Sequence, residues 1–308
     1  MRIFVTGASG HIGLPVVRDL LAAGHQVVGL ARSDASAEKI SSAGAEVRRG
    51  TLDDLDSLRD AAQKADGVIH LAIKHYLALI SGDFAGAVAA DLRAVETLGE
   101  ALAGSNKPFV NTTGTMLLAH SVHGRAGKED DAGQEGGNPR VASESLSLAF
   151  AKRDVRTSIM RLAPTVHSSL DHAGFIPMVV AAARKNGFSA YVGDGAARWP
   201  AVYTLDAARL YRLALEAAPA GSRVHAAAEE GVPFRAIAEA IGRGLGVPAK
   251  SITPEQMGDI LGGFLGMISQ LDNPTSSAKT RETLGWKPTH AGLLADIAEG
   301  HYFAKPGA

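Results

Sequence analysis

A short β-branched run, Ile3 to Thr6, passes without interruption into Gly7-Ala8-Ser9-Gly10-His11-Ile12-Gly13, and then into Leu14, Val17, Leu20 and Leu21 at helical spacing. A chain that turns from strand to helix through glycines at this spacing has few folds open to it. Gly7 can make the tight turn, Gly10 leaves the backbone open to a pyrophosphate, and Gly13 lets the helix pack closely on the strand. The helix N-terminus, with Ser9, His11 and Ile12 leading into it, faces the anion. Gly24 stands where a left-handed C-cap would end the helix. A tight turn of purely structural purpose is the bland alternative. The motif's position directly after the first strand, and the strand–helix alternation behind it, favour dinucleotide binding.

That alternation predicts six strands: Ile3 to Thr6, Gln26 to Leu30, Ala45 to Arg49, Gly67 to Ala72, Phe109 to Thr112 and Thr157 to Leu162. Helices are expected near Ala35–Ser42, Asp56–Ala62, Asp83–Ala103 and Ala142–Ala151. The fold class is therefore α/β, a doubly wound parallel sheet with a smaller C-terminal α/β region. The dinucleotide-binding domain is expected over residues 1–165, with segments near 195–228 returning to it, and the substrate-binding region mainly over 166–308. Ser121–Pro139, rich in Gly and charge and without periodicity, reads either as a mobile loop over a site or as a surface insertion.

Composition removes several alternatives. Lys plus Arg number 31 against 32 Asp plus Glu, a net charge of −1, so nothing invites a nucleic acid. The absence of cysteine excludes disulfides, Cys-ligated zinc, Fe–S clusters and thiol nucleophiles, no metal is expected, and redox chemistry would need an organic cofactor. No apolar run approaches the roughly 20 residues that span a bilayer and no secretory signal opens the chain, so the expectation is a cytoplasmic protein without a membrane partner.

The second strand ends in Arg32-Ser33, where a binder of unphosphorylated cofactor would usually place an acid. A guanidinium and a hydroxyl there can grip a 2′-phosphate, which favours NADP(H) over NAD(H); a solvated surface arginine is the alternative. Leu52 and Asp53 after the third strand, and Leu71, Ala72 and Ile73 after the fourth, would line the adenine and ribose pockets. Asp53 could instead cap the next helix, a role that suits Asp54 or Asp56 better.

The segments TGASGHIG, HLA, NTTGT, RLAPTVH, YVGDG, LDAARLYRLALE and LGWKP together resemble the extended short-chain dehydrogenase/reductase family, in its NAD-dependent epimerase/dehydratase branch, over nearly the whole chain. The resemblance implies a Rossmann domain, a smaller substrate domain, and a homodimer formed through the helices near Asp83–Ala103 and Ala142–Ala151. It also implies a Tyr and a Lys four residues apart at the start of the fifth helix, with a Ser or Thr at the end of the fifth strand. The matching pair here is Arg140 and Glu144. Arg140 cannot deliver a proton near pH 7, and Glu144 reverses the charge that the ribose contact requires. The chain is thus similar to the atypical members that keep the glycine motif and lack the usual active-site residues.

Thr113 aligns with the family hydroxyl, with Thr112 and Thr115 beside it, and is the candidate for orienting a substrate oxygen; a threonine that simply suits a strand end is the alternative. His75, then Tyr76, are candidate proton donors at the strand ends, each also readable as a loop side chain. Thr112 and the backbone near Val166, just before His167, are expected beside the nicotinamide. Trp199 and Pro200 replace the Arg-Asp pair that contacts the diphosphate in nucleotide-sugar epimerases. That favours an apolar pocket, for which Met178, Trp199, Phe264, Leu265 and Met267 are candidates unless they are core. Three functions stay open: an NADPH-dependent reductase of a small apolar carbonyl compound, a non-catalytic NADP(H)-binding sensor, and a nucleotide-sugar epimerase or dehydratase.

Overall fold

The computed structural model of the chain describes residues 1–74 and 82–304. Six parallel strands, β1 (Arg2–Thr6), β2 (Gln26–Ala31), β3 (Glu46–Arg49), β4 (Gly67–His70), β5 (Pro108–Gly114) and β6 (Arg156–Leu162), alternate with five helices. These are α1 (Gly13–Ala22), α2 (Asp34–Ser42), α3 (Leu55–Lys64), α4 (Phe84–Leu102) and α5 (Arg140–Ala149). The chain then runs through β7 (Thr165–His167), α6 (Phe175–Asn186), β8 (Ser189–Val192), β9 (Arg198–Tyr203), α7 (Thr204–Ala217), β10 (Ser222–Ala226) and β11 (Glu229–Pro233). It continues with α8 (Phe234–Leu245), β12 (Ala249–Ile252), α9 (Pro254–Leu261), α10 (Gly263–Ile268), α11 (Ala278–Leu284) and α12 (Leu293–Ala298).

The main sheet has seven strands in the order β3-β2-β1-β4-β5-β6-β10, so its winding reverses between β1 and β4. All six strands read from the sequence are present, and β10 returns as the seventh from the later part of the chain. β4 ends two residues earlier than expected because the Leu71 amide is shared between Thr6 O (3.3 Å) and Thr6 Oγ1 (3.2 Å), and the Ala72 amide turns to Thr6 Oγ1 at 3.2 Å. β5 runs longer, because its other edge stays paired with β6 as far as Gly114 opposite Leu162. A three-stranded sheet (β11-β9-β7) and a two-stranded one (β12-β8) form the smaller C-terminal part.

Local rules explain the helices. α1 buries Gly13, Pro15, Val16, Val17 and Leu20 along one stripe, and beyond its end Gly24 adopts φ +84°, where glycine carries no Cβ penalty. Pro15 sits in the first turn, where its missing N–H costs no helical bond. Ser33, Asp54 and Asp83 cap α2, α3 and α4 by accepting the amides of Ser36, Ser57 and Gly86. Apolar clusters fill both faces of the main sheet, and a third, built on Trp199, Phe234, Ile237 and Ile241, holds the C-terminal part together.

Backbone packs most closely on a described glycine at the start of α1. A Cβ on Gly13 would lie 2.0 Å from the Gly7 carbonyl oxygen, a backbone atom that cannot step aside. Gly13→Ala is expected to destabilise the protein by about 2–3 kcal/mol in urea unfolding. Gly263→Ala, which would meet nothing within 4 Å, should change stability by less than about 0.5 kcal/mol.

Candidate cofactor and active site

The glycine loop opens at the carboxyl ends of β1 and β4, the reversal point where doubly wound sheets bind ligands. Gly7 has φ +71°, and a Cβ there would press to 2.9 Å from the Ala72 nitrogen. Gly10 is exposed, and a Cβ on it would meet only the Gly7 carbonyl oxygen, at 3.3 Å, so its outer side is open. The turn is closed by Gly10 N–H to Gly7 O (3.0 Å) and Leu14 N–H to Gly10 O (2.9 Å). No side chain caps α1 and no acid lies in its first turn, which leaves its leading amides open to an anion. A dinucleotide pyrophosphate fits this cradle. Ser9 is half-buried within the loop, and Ile12 packs against the core.

His11 was expected in the loop, but its partners were not legible there. Its Nε2 lies 3.2 Å from the Val166 carbonyl, joining the loop to β7, and its Nδ1 is 4.0 Å from Asp171. Burial pushes the His11 imidazole below its ordinary value and the Asp171 carboxyl above its own. Asp171 is further held by the amides of Gly174 and Ala173.

On the adenosine side, Arg32 is exposed and makes no hydrogen bond or ion pair among the described residues. Ser33 Oγ accepts the Ser36 amide at 3.3 Å as the cap of α2. Leu52 is buried, while the Asp53 carboxylate receives Lys74 Nζ at 2.7 Å on each oxygen. Asp54, as the sequence favoured, is the cap of α3. Leu71, Ala72 and Ile73 are half-buried on the far side of the loop. His75 and Tyr76 lie outside the described residues.

The three threonines at the end of β5 are all engaged. Thr112 Oγ1 is 2.8 Å from Tyr211 OH, Thr113 donates to Glu144 Oε2 at 3.4 Å, and Thr115 accepts from Asn273 at 2.8 Å. Thr113 is only 2 % exposed, so its hydroxyl lies under α5. Glu144 is bound by Arg161 (2.9 and 2.5 Å) and by Arg223 (2.6 Å). Burial raises its carboxyl, but the two guanidiniums outweigh that and hold it below the usual carboxylate range. Arg161 also reaches the Asp131 carbonyl and His225 Nε2, while His225 Nδ1 bonds Ser276 O. Arg140, at the start of α5, donates Nη2 to the Thr112 carbonyl at 2.6 Å and lies 3.7 Å from Asp91.

Among the apolar candidates, Trp199 and Leu265 belong to the core, because Trp199 is fully buried with its Nε1 donating to Ile268 O. Met267 is exposed and Met178 half-buried. A row of half-buried rings remains: Phe264 stacks on Phe84 (5.5 Å between centroids) and approaches Phe175 (6.5 Å), with Met116 packed on the same cluster. His167 is buried against Asp296 at 3.0 Å. Within the 121–139 segment, residues 127–129 are tied to the later chain: Glu129 accepts the Thr280 amide, and Gly127 bridges to Thr275.

A Rossmann-type sheet with a glycine cradle at its reversal point defines a dinucleotide-binding class. Residues 3–227 match the NAD dependent epimerase/dehydratase family, and the chain belongs to it, a family of short-chain dehydrogenase/reductase type that binds nicotinamide dinucleotides. Similar relatives include "Uncharacterized protein C2A9.02" of Schizosaccharomyces pombe, 46 % identical over 98 % of this chain and 100 % of its own length. "Uncharacterized protein YLL056C" of Saccharomyces cerevisiae is 41 % identical over 96 % of this chain and 98 % of its own. A 2-alkyl-3-oxoalkanoate reductase of Stenotrophomonas maltophilia is 27 % identical over 80 % of this chain and 77 % of its own. Among solved structures, the dTDP-glucose 4,6-dehydratase DesIV of Streptomyces venezuelae, with NAD bound, superposes with a TM-score of 0.78 at 18 % identity, covering 98 % of this chain and 97 % of that one. That last likeness is one of fold. Among the described residues, no helix is long and apolar enough to cross a membrane.

The buried network under α5 carries a pH dependence. Burial, then the neighbouring Arg161 charge, push the His225 imidazole down from 6.5 to about 4. The unfolded chain therefore takes up a proton that the folded protein refuses. His225 contributes no penalty above its unfolded value, and stability is lost as pH falls from 6.5 towards 4, by on the order of 3 kcal/mol for this residue. His225→Gln, which keeps a donor and an acceptor, is expected to flatten that part of the profile in urea unfolding measured at successive pH values.

Proposed function

We propose that this protein is an NADP(H)-dependent oxidoreductase that reduces the carbonyl group of a small apolar molecule. The observation that carries the reading is the open cradle. Gly7, Gly10 and Gly13 clear the backbone, α1 presents uncapped amides, and Arg32 stands exposed at the end of β2. In this reading Ser9, His11 and Ile12 flank the pyrophosphate, and Leu52, Asp53, Leu71, Ala72 and Ile73 flank adenine and its ribose. Arg32 and Ser33 take the 2′-phosphate, while Thr112 and Val166 border the nicotinamide. When bound, NADPH supplies a hydride.

The chain's own groups do the rest. Lys74 neutralises Asp53, so that its carboxylate does not repel an anionic cofactor. Phe84, Phe175 and Phe264, with Met116 just beyond β5, offer apolar surface to the substrate. With the Thr113 hydroxyl held on Glu144, the substrate oxygen takes its proton from His75 or Tyr76, which follow Lys74, or from water. The S. maltophilia relative, named as a reductase of an oxoalkanoate, supports a carbonyl substrate.

A second reading, a non-catalytic NADP(H)-binding sensor, is favoured by the engagement of Thr112, Thr113, Thr115 and Glu144 inside the protein. NADPH oxidation across a panel of small ketones and aldehydes separates the two. Turnover with at least one supports the reductase, whereas tight binding without any turnover selects the sensor. Arg32→Ala is expected to weaken NADPH binding at least about tenfold while changing NADH less than about twofold, measured by calorimetry. Equal losses for both would remove the NADP assignment.

A further inference from the structure

The pairing of β4 with β5 ends at His70 opposite Asn111, although β5 continues to Gly114 against β6 alone. Beyond Asn111 no strand among the described residues lies beside the β4-side edge of β5, and Arg140 reaches that stretch, with Nη2 on the Thr112 carbonyl. Its Nε is buried and has no hydrogen-bond partner among the described residues. If the pyrophosphate sits on the loop after β1 and the adenosine lies towards β2 and Arg32, the other nucleoside must extend over β4 and β5. Arg140 therefore stands at the nicotinamide end.

The neighbouring carboxylates are turned mainly to other partners. Glu144 is taken up by Arg161 and Arg223. Asp91, 3.7 Å from Arg140, is shared with His70 and Ser143. Burial raises the Asp91 carboxyl, but the His70 hydrogen bond and then the Arg140 charge hold it below its ordinary value, so it stays ionised. Among the described residues Arg140 therefore makes no hydrogen bond to a carboxylate, its nearest, Asp91, lying at 3.7 Å. An oxidised nicotinamide ring is a cation and a reduced one is neutral. A guanidinium, charged at every accessible pH, repels the first and not the second.

The geometry points to Arg140 as the residue that makes this site prefer the reduced over the oxidised form of its nicotinamide cofactor. The inference rests on the proposed occupancy of the cradle by NADP(H). It gives the site a built-in response to cofactor redox state, whether the protein turns over substrate or only binds.

Calorimetric titration of the purified protein with NADPH and with NADP⁺ tests it. NADPH is expected to bind at least about tenfold more tightly, and Arg140→Gln to narrow the ratio to within about threefold, chiefly by tightening NADP⁺. Arg140→Lys, which keeps the charge, should retain most of the preference, and a merely structural role for Arg140 would not produce this split between two charge-conserving and charge-removing variants. Equal affinities in the unsubstituted protein, or a ratio unchanged in a folded Arg140→Gln variant, overturn the inference while leaving the proposed oxidoreductase standing. If neither form binds saturably, both fall together. Should Arg140→Gln fail to fold, the ratio in folded Arg140→Lys decides: loss of the preference with the positive charge kept counts against an electrostatic origin.

Discussion

The Thr6 hydroxyl decides where the main sheet opens. Its oxygen accepts the amides of Leu71 and Ala72 and lies 2.7 Å from His70 Nδ1. With two donors already on it, its own proton is directed at Nδ1, so His70 carries its proton on Nε2 and presents it to Asp91, 3.2 Å away. Asp91 accepts from Ser143 on its other oxygen. One hydroxyl, one imidazole and one carboxylate, all buried, thereby tie β1 and β4 to α4 and α5. The consequence is geometric. β4 leaves the ladder after His70, the Ala72 backbone closes on Gly7, and the crevice above the glycine loop is held open by bonds whose loss would strand buried polar groups at about 1–3 kcal/mol each.

A second polar layer lies beneath α5. Charges taken out of water are costly unless their hydrogen bonds are met, and here they are: every nitrogen of the Arg161 guanidinium has a partner. This network accounts for the residue types at 140 and 144. Glu144 balances guanidiniums that β6 and β10 bring to the sheet face, and Arg140 fills the edge that β4 vacates. What resemblance casts as a missing catalytic pair is, in packing terms, a carboxylate held by two guanidiniums and a guanidinium laid on a strand edge. The same network draws the Thr113 hydroxyl away from the strand ends.

Much of the fold was legible because it follows local rules. Strand periodicity located six of the seven main-sheet strands within a residue or two, since fully buried parallel strands read as apolar runs. The exceptions have tertiary causes: β4 was overrun because nothing local says that the Leu71 and Ala72 amides will converge on the Thr6 side chain. The cradle was legible in the spacing of Gly7, Gly10 and Gly13. The neighbours that share it were less so, because His11 meets Val166 and Asp171 across more than 150 residues of chain. Trp199 reads equally as pocket or core until Phe175 and Phe234 are seen packed around it.

The sequence by itself determined that this chain is an α/β protein with a glycine-rich turn after its first strand, and that Arg and Glu stand at positions 140 and 144. Those properties depend on backbone freedom and side-chain type at single positions. Only the tertiary structure decided which hydroxyls are free, which charges cancel, and where Arg140 points, because each depends on groups brought together from distant strands and helices. A titratable side chain acquires its role from what surrounds it, and no local pattern encodes those surroundings.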